Sequence, residues 1–212
     1  MVLHDYFRSS AAFRVRIALN LKGLEAERCF VHLRKGEQRA PGYLEQNPHG
    51  LVPMLTVDGQ RLTQSLAIIE YLDETHPMPR LLPSTAADRA WVRSVALAIA
   101  CDIHPLNNLR VLLHLRDALA ADQAARDEWY RHWIRAGFDP LERQLADRAA
   151  GRYCLGDAPT LADICLVPQV FNAQRLDIPL DPWPRIAAVH AACLEHPAFA
   201  AAVPARQPDA EK

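Results

Sequence analysis

The chain has 212 residues, and its 24 lysines and arginines nearly cancel 25 aspartates and glutamates, leaving a net charge of -1. Half of the residues are hydrophobic and 23% are charged, a globular composition that excludes disordered, coiled-coil and collagen-like classes. The length admits one large domain or two small ones, and the balanced charge gives no reason to expect nucleic acid or an anionic membrane as partner.

The longest apolar runs, such as Val95 to Cys101, fall far short of the roughly 20 residues a membrane helix needs. The opening Met1-Val-Leu-His-Asp lacks the layout of a secretory signal. Five cysteines (Cys29, Cys101, Cys154, Cys165, Cys193) are an odd number without a CxxC pair, so disulfides and structural zinc are not expected, and a reducing cytoplasm is. Alanine is unevenly spread, 6 in residues 1–85 and 28 in residues 86–212. Because alanine is the strongest helix former, the second part should be helical and the first mixed.

Val2 to Tyr6 reads as a strand, and Ser9-Ser10 opens a helix in which Phe13, Ile17 and Leu21 form a stripe while Arg14, Arg16 and Asn20 fall off it. Lys22-Gly23 marks the stop of that helix. Cys29 to His32 is a second strand candidate, and Gly42 to Gln46 a short helix or turn. Residues 52–57 and Arg61 to Thr63 form two strands around an Asp58-Gly59 hairpin signal. Ser65 then starts a helix through Leu72. The order is βαβ followed by ββα, an α/β unit of residues 1–80.

Pro77, Pro79 and Pro83 punctuate a linker. A second, helical domain over residues 87–212 carries helical patterns at 86–119, 123–148, 160–173, 184–194 and 197–202. Pro105 should kink or break the first of them. Ile134, Phe138, Leu141 and Leu145 make a core stripe, extended by Trp129 and Trp133, and Thr160-Leu-Ala-Asp163 has capping-box spacing. The tail after Pro204 is expected to fray.

Four places carry residues suited to chemistry. At Ser9 and Ser10 a helix N-terminus and a hydroxyl suit an anion, including a thiolate brought by a ligand; equally, a serine there caps the helix. In Leu51-Val52-Pro53 the proline belongs at an edge or bulge. If its bond is cis, the Val52 peptide groups face outward to pair with a peptide-like ligand; a trans proline at a strand start is the alternative. Gln64-Ser65 offers a carboxylate seat or a plain N-cap. In Asp102-Ile-His104-Pro-Leu-Asn107-Asn108-Leu-Arg110, the side chains of His104, Asn108 and Arg110 either converge on a ligand or form a satisfied polar bend. Nine scattered histidines without HExxH or an i,i+4 pair argue against a metal. No GxSxG, Walker or GxGxxG pattern supports a hydrolase or nucleotide site.

Together, Arg8-Ser-Ser-Ala-Ala-Phe-Arg-Val-Arg-Ile-Ala-Leu19, Asn47-Pro-His-Gly-Leu-Val-Pro53 and Gln64-Ser-Leu-Ala-Ile-Ile-Glu-Tyr-Leu72 resemble the zeta class of glutathione transferases. Asp102 to Arg110, Thr160 to Asp163 and Pro168-Gln-Val170 continue the resemblance over nearly the whole chain. It implies a thioredoxin-like α/β N-terminal domain, an all-α C-terminal domain, glutathione as cofactor and a homodimer. It further implies that Ser9 and Ser10 stabilise the glutathione thiolate and that Val52, before Pro53, pairs with the cysteinyl backbone. Gln64 and Ser65 would hold the γ-glutamyl end, and His104, Asn108 and Arg110 would contribute from the helical domain. Arg8, Arg110 and Arg175 would bind substrate carboxylates, for which a guanidinium is well shaped, although Arg8 and Arg175 also read as surface arginines.

The activity implied is cis–trans isomerisation of a small maleyl dicarboxylate. Its substrate would be maleylacetoacetate, in tyrosine and phenylalanine breakdown, or maleylpyruvate, in aromatic-acid degradation. A general glutathione transferase and a non-catalytic glutathione-binding protein are the alternatives. Two departures stand out. Ala11 replaces the cysteine of the family's Ser-Ser-Cys motif, which puts conjugating side activity in doubt. His49-Gly50-Leu51 differs from the Lys-Gln of some members, which leaves the contact for the glycine carboxylate of glutathione open.

Overall fold

The computed structural model describes residues 1–148 and 151–211 and divides into two compact units. The first comprises Met1–Leu81 together with Leu194–Lys212, and the second Leu82–Cys193.

In the first unit the chain runs β1 (Val2–Asp5), α1 (Ser10–Lys22), β2 (Glu27–Phe30), α2 (Pro41–Leu44), β3 (Met54–Val57), β4 (Gln60–Thr63) and α3 (Ser65–Thr75). The four strands form one sheet in the order β2-β1-β3-β4, with β1 parallel to β2 and antiparallel to β3, and β3 antiparallel to β4. This mixed sheet is the thioredoxin-like arrangement expected from the resemblance. Asp58 (φ 49) and Gly59 (φ 76) both take positive φ, as a tight hairpin between β3 and β4 requires. The second strand begins two positions earlier than the sequence suggests, because its register against β1 pairs Val2 with Glu27 and Asp5 with Phe30. His32, expected in the strand, instead caps a short turn by accepting the Lys35 N–H at 3.2 Å.

Helix α1 departs from the amphipathic reading. Its start and stop are as expected: Ser9 caps it, and Gly23 ends it at φ 63. Yet it has scarcely any polar face, since Arg14 and Arg16 are each only 2% exposed. The reason is tertiary. Helix α3 covers one side of α1, and α9 (Pro197–Ala202), from the far end of the chain, covers another. Asn20 Nδ2 donates to the Ala198 carbonyl at 2.8 Å, and Arg16 Nε to that of Ala202 at 3.1 Å.

The tail after Pro204 is not frayed. Gln207 is buried and donates to the Ala201 and Val203 carbonyls at 3.0 and 2.9 Å, and Asp209 accepts the Phe7 N–H at 2.8 Å. The segment from Leu194 onward, assigned by sequence to the helical domain, packs with the α/β unit.

The second unit is helical: α4 (Ala86–Leu97), α5 (Leu109–Leu119), α6 (Gln123–Ala146), α7 (Leu161–Gln174) and α8 (Pro184–Glu195), whose last turn crosses the unit boundary. The expected break near Pro105 begins earlier and lasts longer. After Leu97 the helix widens into a π turn over Ala98–Ile103, then tightens into a 3-10 turn over His104–Asn107. Pro105 lies in the first turn of that 3-10 segment, where its missing N–H costs nothing. The predicted stripe of Ile134, Phe138, Leu141 and Leu145 is buried. Gly137 lets α6 approach the π turn closely, since a Cβ there would lie 2.2 Å from Ile103 Cδ1. The capping box also forms: Asp163 accepts the Thr160 N–H and hydroxyl, both at 2.8 Å, and the Cys154 N–H at 2.8 Å.

Burial lowers the His190 imidazole on α8 from an ordinary 6.5 to about 4. The unfolded chain therefore binds a proton there that the folded chain resists. Stability is full above the unfolded value and falls as pH drops through the window from about 6.5 to about 4, by on the order of 3 kcal/mol. Urea midpoints measured across that window should fall, and His190→Gln should flatten the fall.

Candidate active site

The first unit presents three adjoining features along its chain. The first is the turn between β1 and α1. The Ser9 N–H donates to the Tyr6 carbonyl at 2.9 Å, closing the turn, and Ser9 Oγ accepts the Ala12 N–H at 3.2 Å. Ser9 is thus the helix cap, the plainer of the two sequence readings. Because the cap uses only the oxygen, the hydroxyl proton stays available to an anion, so the cap does not compete with an anion-binding role. The first turn of α1 carries no acidic residue to neutralise the helix dipole. Ser10 is buried at 7% exposure, which makes Ser9 the more accessible hydroxyl. Arg8 is half-buried and has no hydrogen bond or ion pair among the described residues. Burial raises the Tyr6 phenol above its ordinary range, with Arg8 the largest charge opposing the rise. Tyr6 therefore stays protonated near neutrality.

The second feature is the loop from Asn47 to Pro53. Asn47 is 1% exposed; its Nδ2 donates to the Leu51 carbonyl at 2.7 Å and its Oδ1 accepts the His49 N–H at 3.2 Å. The Tyr43 hydroxyl donates to the same Leu51 carbonyl at 2.6 Å. Gly50 has φ 58, and a Cβ there would lie 2.9 Å from the Gln38 carbonyl oxygen, so glycine is required twice over. The Val52–Pro53 bond is cis. The Val52 N–H and carbonyl have no hydrogen-bond partner among the described residues, as a backbone edge for a peptide-like ligand requires.

The third is the N-terminus of α3. Gln64 takes φ 68 and ψ 116, a conformation non-glycine residues avoid at a cost of about 1–3 kcal/mol. No side chain caps the helix there, so its first N–H groups remain available. Beneath them Arg14 Nη1 donates to Ser65 Oγ at 3.3 Å. The buried guanidinium and the helix dipole act in the same sense, toward an anion. Arg14 was not singled out from sequence. The available signal was a helix apolar on nearly every side except for two arginines, a pattern of full burial rather than of a solvent face.

In the second unit, the 3-10 turn is fastened to α6: Trp129 Nε1 donates to the Leu106 carbonyl at 2.8 Å, and Asn107 Nδ2 to that of Tyr130 at 3.4 Å. Asn108 N-caps α5, its Oδ1 accepting the Arg110 N–H at 3.1 Å. The cap joins Asn108 and Arg110, and His104 opens the same short turn. Arg110 is exposed, and Arg175 is the exposed C-cap of α7.

The Ser9 hydroxyl, the Val52 peptide groups and the uncapped N-terminus of α3 at Ser65 are the polar groups the first unit leaves available at these three places. Comparison with known proteins gives the family. The glutathione S-transferase N-terminal domain matches residues 1–74 and the glutathione S-transferase C-terminal domain residues 123–192. The chain belongs to the glutathione S-transferase family, among its zeta-class members. A probable maleylacetoacetate isomerase of Vibrio cholerae is 50% identical, over 99% of this chain and 98% of its own length. A solved holo maleylpyruvate isomerase, a bacterial zeta-class glutathione S-transferase, is 50% identical with a TM-score of 0.97, covering 100% of both chains. The maleylacetoacetate isomerase of Methylobacterium extorquens, solved with bound malonate and glutathione, is 40% identical with a TM-score of 0.97, again over 100% of both chains.

Replacing Arg14 by Met removes the charge below the α3 N-terminus. Losing such a charge-assisted bond corresponds to a fall in glutathione affinity of about 10- to 100-fold, measurable by titration calorimetry.

Proposed function

We propose that this chain is a glutathione-dependent cis–trans isomerase of a maleyl diketo acid, converting maleylacetoacetate to fumarylacetoacetate in tyrosine and phenylalanine breakdown. The observation that carries the reading is the Arg8-Ser9-Ser10 turn, where Ser9 caps the helix with its hydroxyl proton to spare and the neighbouring Arg8 has no hydrogen bond or ion pair among the described residues. When bound, glutathione supplies a thiolate that adds reversibly to the maleyl double bond, allowing rotation and returning the cofactor unconsumed. The Ser9 hydroxyl and the α1 N-terminus hold the thiolate charge, with Ser10 supporting the turn. Val52, ahead of Pro53, aligns the peptide part, and Gln64 and Ser65 hold the γ-glutamyl end. Arg8 pairs with a substrate carboxylate and stabilises negative charge building on the conjugated carbonyl.

From the second unit, His104, Asn108 and Arg110 are assigned to the cofactor, and Arg110 and Arg175 to substrate carboxylates. The reaction asks for no general acid of shifted pKa. With alanine at position 11, that position offers no protein thiol, and the reading rests on the cofactor thiol. Maleylpyruvate is the second candidate substrate, favoured by the solved maleylpyruvate isomerase at 50% identity; it carries the same maleyl unit. Five free cysteines fit a reducing cytoplasm.

A homodimer is part of the proposal. Its support is the exposure of Leu97, Leu113 and Leu119, at 44%, 36% and 66%, on the helical unit; sedimentation at assay concentration should give twice the chain mass.

The decisive assay follows loss of the substrate's cis-enone absorbance with catalytic glutathione, comparing maleylacetoacetate and maleylpyruvate on one preparation. Stoichiometric consumption of glutathione, or no turnover, would refute the isomerase reading. Ser9→Ala should lower kcat roughly a hundredfold, as loss of one oxyanion donor does, and weaken glutathione binding less, by about tenfold. Unaltered turnover would move the role to Ser10 or the backbone.

A further inference from the structure

The turn that carries Ser9 is closed by its own Ser9-to-Tyr6 hydrogen bond, but the peptide groups of Phe7 within it are held from elsewhere. Phe7 is 7% exposed and lies just past the last residue of β1, so its peptide groups have lost the strand ladder and must be satisfied otherwise. Both are met by charged side chains from elsewhere. Arg16 Nη2, on α1, donates to the Phe7 carbonyl at 3.0 Å. The Phe7 N–H donates to Asp209 Oδ2 at 2.8 Å, across 202 residues of chain.

Asp209 reaches that amide because the tail is docked at several points. Gln207 accepts from Arg28 Nη2 at 3.3 Å, besides its two bonds to Ala201 and Val203. Ala210 packs on the cluster of Tyr6, Phe7, Val31, Tyr43, Val52 and Met54. Glu211 pairs with His32 at 2.8 Å. The Asp209 carboxylate lies in the field of Arg16 and Arg28, and both of these also pair with buried Asp5. Two carboxylates and two guanidiniums thus neutralise one another directly under the turn.

We propose that Asp209 is a positioning residue for the thiolate seat: the docked C-terminal tail fixes the Phe7 peptide and, two residues on, the direction of the Ser9 hydroxyl. This rests on the reading of Ser9 as the seat of the glutathione thiolate. The mechanism predicts a selective defect. A misdirected Ser9 weakens the hold on a thiolate while leaving the peptide edge at Val52 and the carboxylate seat at Ser65 intact.

The test compares glutathione with S-methylglutathione, which keeps every binding group except the ionisable thiol. Asp209→Ala in the full chain should bind glutathione about tenfold more weakly by calorimetry, as expected for one lost buried hydrogen bond. It should also lose the ultraviolet thiolate absorbance of the complex at neutral pH, with S-methylglutathione affinity within about twofold of wild type. Asp209→Asn retains an oxygen acceptor for the Phe7 N–H and should restore most of the thiolate signal. If Asp209→Ala does not fold, Gln207→Ala, which loosens the tail but keeps the acceptor, should show a smaller loss with the same thiol selectivity. Unaltered thiolate absorbance, or equal weakening toward both ligands, overturns the inference while leaving the glutathione reading in place. Wild-type protein that binds neither ligand overturns that reading, and this inference with it.

Discussion

The first unit is organised around the buried ion pair of Asp5 and Arg16, 2.9 Å apart and almost wholly withdrawn from water. Two ions in such a place cost several kcal/mol each in lost hydration, which is recovered only if every polar atom finds a partner. The pair approaches that condition by recruiting backbone and a second guanidinium, Arg28, which pairs with the other Asp5 oxygen. Arg16 also donates to the carbonyls of Tyr6, Phe7 and Ala202, and Asp5 accepts the Tyr6 N–H at 2.8 Å. Burial pulls the guanidinium down to about 9, so it remains charged at neutral pH. The constraint therefore fixes the end of β1, the turn after it, the start of α1 and the return of α9 together. Replacing Arg16 removes its bonds to Asp5, to the turn carbonyls and to α9 at once, so the turn and the core stand or fall as one.

The three features proposed to meet the ligand share one strategy: backbone donors and acceptors are left unpaired while side chains behind them hold the chain in place. The Asn47 amide and the Tyr43 hydroxyl both satisfy the Leu51 carbonyl, so the next peptide, at Val52, can be left unpaired. Arg14 supports Ser65 from below, so the first N–H groups of α3 need no cap. Gln64 holds an unfavourable φ to bring that helix end into place. Groups pre-positioned in this way require no reordering when a ligand arrives.

Much of this was legible in the sequence, because caps, turns and apolar periodicity are local. The Ser9 cap, the Asp58-Gly59 hairpin, the Thr160–Asp163 box and the Ile134 to Leu145 stripe all formed where their residue types required. Four things were not legible. The π turn before Pro105 depends on Ile103 packing against Gly137, a contact between distant segments. The start of β2 depends on register with β1. Arg14 and Arg16 read as a polar face until α3 and α9 enclosed them. The tail had no periodicity to betray its docking through Gln207 and Asp209.

The sequence by itself determined the two-part organisation, through the alanine split, and the chemical character of the site, through serines at helix starts, a proline at a strand entrance and arginines beside them. Those depend on residue type and near neighbours, which a chain carries whether folded or not. Only the tertiary structure decided which arginines became buried supports and which stayed at the surface, and that the end of the chain belongs with its beginning. Burial and long-range charge pairing are properties of what surrounds a residue, and for Arg16 or Asp209 those surroundings are assembled from segments nearly two hundred residues apart.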